Sequence, residues 1–215
     1  NIVDIFSFGT LLDGRSYFVM EWLQGESLAA RLLRGRPSIA ETVEILDQVC
    51  RALVATHAKG IVHRDLKPDN VFLAAVPGEG TLVKLLDFGI AKLVGVDTPG
   101  GRQTRTGTIL GTPLYVSPEQ AIGRGVDHRT DIYSLGAMAF EMLVGRPPFL
   151  SGSAMEVISA HLTEPAPRTR TFRGTIPAVV DELVDRMLAK DPSGRPTLAE
   201  VRAALEPLKV EGAII

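Results

Sequence analysis

"IVHRDLKPDN", residues 61–70, places a histidine, an arginine, two acids, a lysine and an asparagine within eight positions. Apolar residues stand on either side, Ile61-Val62 before it and "VFL" (71–73) after it. The polar cluster therefore sits where the chain is about to enter a sheet. Downstream, "VFLAAV" and "TLVKLL" flank "PGEG", which predicts a β-hairpin. A hairpin returns its ends to nearly the same place, so Asp87, 22 residues after Asp65, is expected to face Asn70.

Working outward, residues 2–8 and 17–22 ("YFVMEW") predict two strands around a turn at Asp13-Gly14. "GESLAARLLRGRPS" predicts a short helix with breakers, and a stronger helix follows. Ser38 with Glu41 makes a capping box, and a helical stripe runs through Ile39, Val43, Leu46, Val49, Cys50, Leu53, Val54 and His57. Gly60 is the expected stop. Cys50 and His57 then lie on the buried face and read as core. Residues 87–119 are rich in Gly and Thr and aperiodic, and a loop that long is usually functional or mobile. Helices are predicted at 131–144, 153–162, 177–189 and 197–206, the last opened by a Thr197–Glu200 box. The first of these is apolar almost all round and should be central.

Composition sets the class. The chain has 215 residues, 45% hydrophobic and 22% charged, as in a soluble globular protein with ample length for a core. A net charge of -2 provides no field for nucleic acid or an anionic membrane. The densest basic stretch, "PRTRTFRG" (167–174), reads as a solvated loop. Cys50 is the single cysteine, so neither a disulfide framework nor a thiolate metal site is available. No apolar run reaches the roughly 18 residues that span a bilayer, and no signal-peptide pattern is present.

Phosphoryl transfer from ATP needs a divalent ion on the phosphates, a carboxylate near the incoming hydroxyl, and compensation for developing charge. Mg²⁺ prefers oxygen ligands and usually keeps several waters, so one carboxylate and one amide can suffice. Asp65, Lys67, Asn70 and Asp87 supply those groups. The order and spacing of "HRDLKPDN" (63–70), "DFG" (87–89), "GTPLYVSPE" (111–119), "DIYSLG" (131–136) and "GRPT" (194–197) resemble those of eukaryotic-like protein kinases, most closely the bacterial Ser/Thr branch. The likeness runs from Asn1 to about Leu208.

That resemblance implies an α+β, protein-kinase-like fold, mainly the helical C-lobe (24–208) with a remnant of the N-lobe (1–23) and a tail (209–215). It implies ATP, Mg²⁺ (or Mn²⁺) and protein substrates bearing Ser or Thr. Asp65 would orient the acceptor hydroxyl and accept its proton late. Lys67 would neutralise the transferred phosphate, and Asn70 and Asp87 would hold the metal. Met20, Glu21 and Leu23 match the hinge, where the Glu21 carbonyl and Leu23 amide would read adenine above Phe72. Glu26 would contact ribose or substrate. His63 reads as packing against Phe88, Thr112 as a contact near Asp65 and Lys67, Asp131 as a brace for the catalytic loop, and Glu119–Arg195 as a buried ion pair.

The glycine-rich loop, the third-strand lysine and the following glutamate of the family have no counterpart here. Asn1 opens directly on a strand-like run, so the chain reads as cut from something longer, and alone it is expected to transfer phosphate poorly. Two other readings stay open: a pseudokinase-like regulatory or binding module, and a small-molecule phosphotransferase, against which "GTPLYVSPE" argues as a peptide platform. Arg64 before the catalytic aspartate implies activation by phosphorylation at Thr104, Thr106 or Thr108, by autophosphorylation within a kinase pair. The expected location is cytoplasmic, free or as the cytoplasmic domain of a membrane-anchored kinase.

Overall fold

The computed structural model describes residues 1–76, 78, 80–87 and 113–210. The expectations for Phe88, Thr104, Thr106, Thr108 and Thr112 fall outside the described residues. At the N-terminus β1 (Ile5–Thr10) and β2 (Ser16–Met20) form an antiparallel pair with Phe8 opposite Phe18. Gly14 turns the chain at φ 87°, where a side chain would be strained. The expected first strand began earlier, at Ile2. In the structure residues 1–3 leave this hairpin and join a second sheet: the Val3 N–H donates to the Leu85 carbonyl (3.0 Å) and the Leu85 N–H to that of Asn1 (2.9 Å).

That second sheet holds β3 (Gly25–Ser27), β4 (Val71–Val76) and β5 (Gly80–Leu85), antiparallel in the order β3-β4-β5. Gly25 is required there, since a Cβ would stand 2.1 Å from the Leu73 carbonyl oxygen. Ser27, Phe72 and Lys84 pair across the three strands, as do Glu26, Leu73 and Val83. Directly paired residues share a face, so the register gives each of these sets its own side. Leu73 and Val83 are buried, whereas Phe72 and Lys84 are only partly so.

Ser27 caps α1 (Leu28–Leu33), its hydroxyl accepting the Ala30 N–H. Ser38 caps α2 (Ile39–His57) by accepting the Glu41 N–H at 3.0 Å. Only that half of the expected box is made, because Arg31 of α1 grips both Glu41 oxygens at 2.9 Å. Val43, Leu46, Val49, Cys50 and Leu53 are buried as the stripe requires, but Val54 is 43% exposed. Ile45 and Ala52 are buried in addition, because β5 and other helices enclose α2 on a broad front. Burial pushes the Cys50 thiol up to about 12, which leaves it inert.

Among the described residues the remaining α-helices are α3 (Pro118–Ala121), α4 (Arg129–Val144), α5 (Ala154–Thr163), α6 (Thr169–Phe172), α7 (Ala178–Met187) and α8 (Leu198–Val210). The Thr197–Glu200 box closes in both directions, at 3.2 and 2.7 Å. α4 is buried along nearly its whole length and anchors one continuous apolar core. A Cβ on Gly136 of α4 would lie 2.7 Å from Met187 Cβ. Gly136→Ala is thus expected to destabilise the protein by about 1–3 kcal/mol through overpacking, read as a lower urea midpoint; an unchanged midpoint would mean α7 shifts freely.

The stretch 167–174 is mostly exposed, as expected, but it is not all loop: Thr169–Phe172 is helical and Thr169 is buried. Asp181 of α7 takes Arg168 in an ion pair (2.7 Å), the Thr169 hydroxyl (2.7 Å) and the Arg170 N–H (3.1 Å), at the start of α6. Arg146 lies over the Phe172 ring at 4.7 Å. A carboxylate distant in sequence thus holds Arg168 and the start of α6.

Candidate active site

The 61–70 loop runs from α2 into β4, and its backbone is set from α4. Asp131, fully buried, accepts the His63 N–H on Oδ2 and the Arg64 N–H on Oδ1, each at 2.9 Å. His57 Nε2 lies 2.8 Å from the same Oδ2, so this stripe residue also braces the loop. Arg64 sits at φ 65°, a left-handed conformation that needs such support. Gln120 of α3 adds a bond from Nε2 to the Arg64 carbonyl (2.6 Å). His63 is buried with Nε2 donating to the Leu86 carbonyl (2.9 Å), and burial holds its pKa below the ordinary imidazole value. It is neutral and structural.

On this frame Lys67 Nζ meets Asp65 Oδ2 at 2.8 Å. Asn70 Nδ2 donates to the Asp65 carbonyl (2.8 Å) and to Asp65 Oδ2 (3.1 Å). The Asp65 carboxylate stays 56% exposed, open to a substrate. Across the hairpin base the Leu86 N–H donates to the Asn70 carbonyl at 2.9 Å, which brings Asp87 beside Asn70. Asp87 itself adopts φ 51°. Among the described residues no group of three or more His, Cys, Asp or Glu could hold a metal. An amide oxygen and one carboxylate are nonetheless a fitting donor set for a hard cation that also binds phosphate and water. The two bonds from Asn70 Nδ2 fix which way its amide is turned.

The candidate nucleotide end is built differently. Glu21 follows β2, and its carboxylate takes Lys84 Nζ (2.6 Å) and the Asp4 N–H (2.9 Å). Lys84, then the Asp4 amide, hold that carboxyl below its ordinary pKa. Among the described residues neither the Glu21 carbonyl nor the Leu23 N–H makes a hydrogen bond within the protein, so both are available to a ligand. Phe72 shares its sheet face with Lys84 and hence looks toward Glu21. Met20 ends β2 and is half-exposed, while Trp22 is 91% exposed.

Glu26 is not brought to this group. The register places it with Leu73 on the opposite face from Phe72, and Arg34 engages both of its oxygens. The sequence shows no such sidedness, because it does not state which strand β3 pairs with.

Residues 113–119 are tied down by side chains that the sequence did not single out. The Tyr115 hydroxyl donates to Glu141, and the Ser134 hydroxyl donates to the Tyr115 carbonyl at 2.7 Å. Burial raises the pKa of both Tyr115 and Glu141. Ser117 and Gln120 form a capping box for α3; its signal, S-x-x-Q, was present in "SPEQ". Glu119 and Arg195 pair at 2.6 Å as expected.

The protein kinase domain family matches residues 1–205 of this chain. Serine/threonine-protein kinase Pkn1 of Myxococcus xanthus is 45% identical over 208 residues, 96% of this chain and 29% of that protein. Serine/threonine-protein kinase pkn3 of the same organism is 39% identical, over 93% of this chain and 37% of its own length. Serine/threonine-protein kinase PknB of Mycolicibacterium smegmatis is 40% identical, over 88% and 30%. The chain thus spans roughly a third of the length of these curated relatives. Among the described residues no helix is long and apolar enough to cross a membrane. A match through nearly the whole chain, with relatives at about two-fifths identity, settles its kinship: this chain belongs to the protein kinase domain family.

Proposed function

We propose that the protein is an ATP-dependent serine/threonine protein kinase and that this chain carries its catalytic loop. The observation that carries the reading is the Asp65 carboxylate, exposed yet gripped by Lys67 and Asn70 on a loop braced by Asp131. Asp65 orients the acceptor hydroxyl. As the bond from the γ-phosphorus to the β–γ bridging oxygen breaks and the new P–O bond forms, that hydroxyl proton passes to Asp65. Lys67 stabilises charge on the transferred group. Asn70 and Asp87 would hold Mg²⁺, or Mn²⁺ as the alternative, which would supply positive charge against the phosphates. The Glu21 carbonyl and Leu23 N–H read adenine, with Met20 and Phe72 against the ring; Glu26 has no part in this.

The names of the relatives and the lysine in "DLKPDN" support Ser and Thr as acceptors. The separate β1–β2 sheet supports residues 1–23 as N-lobe and 24–208 as C-lobe. We place the domain on the cytoplasmic side, with two copies phosphorylating each other at Thr104, Thr106 or Thr108. Transfer of radiolabelled phosphate by the full-length protein to Ser/Thr peptides tests the activity; phosphotyrosine as the dominant product, or no transfer, refutes it. In the same protein Asp87→Ala is expected to weaken nucleotide binding with Mg²⁺ present by about tenfold or more and leave metal-free binding unchanged. Calorimetric titration with and without Mg²⁺ checks this, and equal losses in both would remove Asp87 from the metal site.

A further inference from the structure

Lys190, Tyr133, His161 and the Leu114 carbonyl lie in one unbroken file. Lys190 Nζ is 3.3 Å from the Tyr133 hydroxyl, that hydroxyl is 2.9 Å from His161 Nδ1, and His161 Nε2 is 3.1 Å from the Leu114 oxygen. The ends set the direction, because an ammonium only donates and a carbonyl only accepts. His161 must therefore carry its proton on Nε2, and Tyr133 must donate to Nδ1 and accept from Lys190. Every bond between the ends has one direction.

The surroundings keep it so. Tyr133 and His161 are fully buried, and Phe149 walls the file, 4.9 Å from the His161 ring and 4.5 Å from Lys190 Nζ. Lys190 also donates to the Ala160 carbonyl at 3.2 Å. Arg195 lies over the Tyr133 ring at 4.9 Å with its charge met by Glu119, and Glu164 is the acid that acts on Lys190. Burial first, then Lys190, bring His161 down to about 4, so the ring is neutral near pH 7 and cannot reverse the file by taking a second proton.

We infer that Lys190, Tyr133 and His161 are positioning residues for the peptide acceptor, fixing the 113–117 segment through the Leu114 carbonyl. Ser134 holds the next carbonyl, that of Tyr115, from α4, so His161 supplies the tie from α5. Two successive peptide units of the platform are thus set by side chains of two helices. The inference rests on the protein kinase reading above.

The test uses the full-length protein with a panel of synthetic Ser/Thr peptides. Tyr133→Phe removes one hydroxyl and almost no volume. It and His161→Leu are expected to raise peptide KM by about 5- to 10-fold, as leaving buried polar groups unpaired implies, exceeding any fall in kcat, with ATP KM unmoved. His161→Gln should recover most of the loss, since its amide oxygen accepts from Tyr133 and its N–H donates to Leu114. Amide hydrogen exchange at 114–117 should quicken in His161→Leu and Tyr133→Phe. Unchanged exchange and unchanged peptide KM in Tyr133→Phe overturn the inference, as does an equal rise in ATP KM. Faster exchange in a protein whose unmutated form phosphorylates no peptide would overturn the kinase reading and leave the tie itself standing.

Discussion

Asp65→Asn in the full-length protein is expected to lower phosphoryl transfer by about 10²- to 10⁴-fold, the usual contribution of a positioned proton acceptor, while nucleotide binding survives. The two side chains have almost the same shape. Asp65 Oδ2 accepts from Lys67 Nζ and Asn70 Nδ2, and an asparagine must turn its oxygen to those donors to keep both bonds. Its NH₂ then points where the second carboxylate oxygen was, and it cannot accept the acceptor's proton. The brace from Asp131 to His63 and Arg64 does not touch the Asp65 side chain, so the loop keeps its path. Radiolabel kinetics with calorimetric nucleotide titration decide the matter. A variant that turns over normally would exclude Asp65 from the reaction.

Arg195→Ala carries the largest expected effect on stability, about 3–5 kcal/mol, as for removal of one partner of a buried ion pair. Its five N–H donors are all used: Glu119 takes two at 2.6 and 2.8 Å, and the Ala189, Arg129 and Lys190 carbonyls take the others. Among the described residues, the substitution leaves this buried carboxylate with the Thr130 hydroxyl (2.6 Å) and its own backbone N–H, and no opposite charge. For a chain of this size that corresponds to a fall of roughly 10 °C in Tm. The effect depends on pH in a defined direction. Burial alone would push the Glu119 carboxyl up, but Arg195 and Thr130 outweigh it and bring it to about 2. A depressed folded pKa means the contribution is complete above about 4.5 and is lost as pH falls toward 2. Thermal melts of both proteins should therefore differ most near neutrality and converge over that acid window. A gap below about 1 kcal/mol at pH 7 would place the pair among weak surface bridges.

The parts legible in the chain were those that depend on neighbours a few residues apart. The 3.6-residue period marked α2, α5, α7 and α8, because one face of each has to meet the core, and α4 was marked by being apolar nearly all round. Thr197 and Glu200 marked a helix start through backbone donors within one turn. The β4–β5 turn brought Asp87 to Asn70, since a hairpin leaves its ends nowhere else to go. Motif order carried the family.

Other features came from residues far apart in the chain. Residues 1–3 bond to β5 rather than extend β1; both pairings suit a short apolar run, and the choice turns on a strand some 80 residues later. Glu26 faces away from Phe72 because a strand's side chains alternate, and only the pairing partner says which face is which. Val54 is 43% exposed although it falls on the helical stripe, and Arg168 is held by Asp181, whose place beside it the chain does not announce. His161 reads in the chain as one more polar residue on an amphipathic helix. Its proton has a fixed place only once Lys190 at one end and Leu114 at the other have been folded against it, for periodicity sets which face a helix buries and tertiary packing alone chooses the partners.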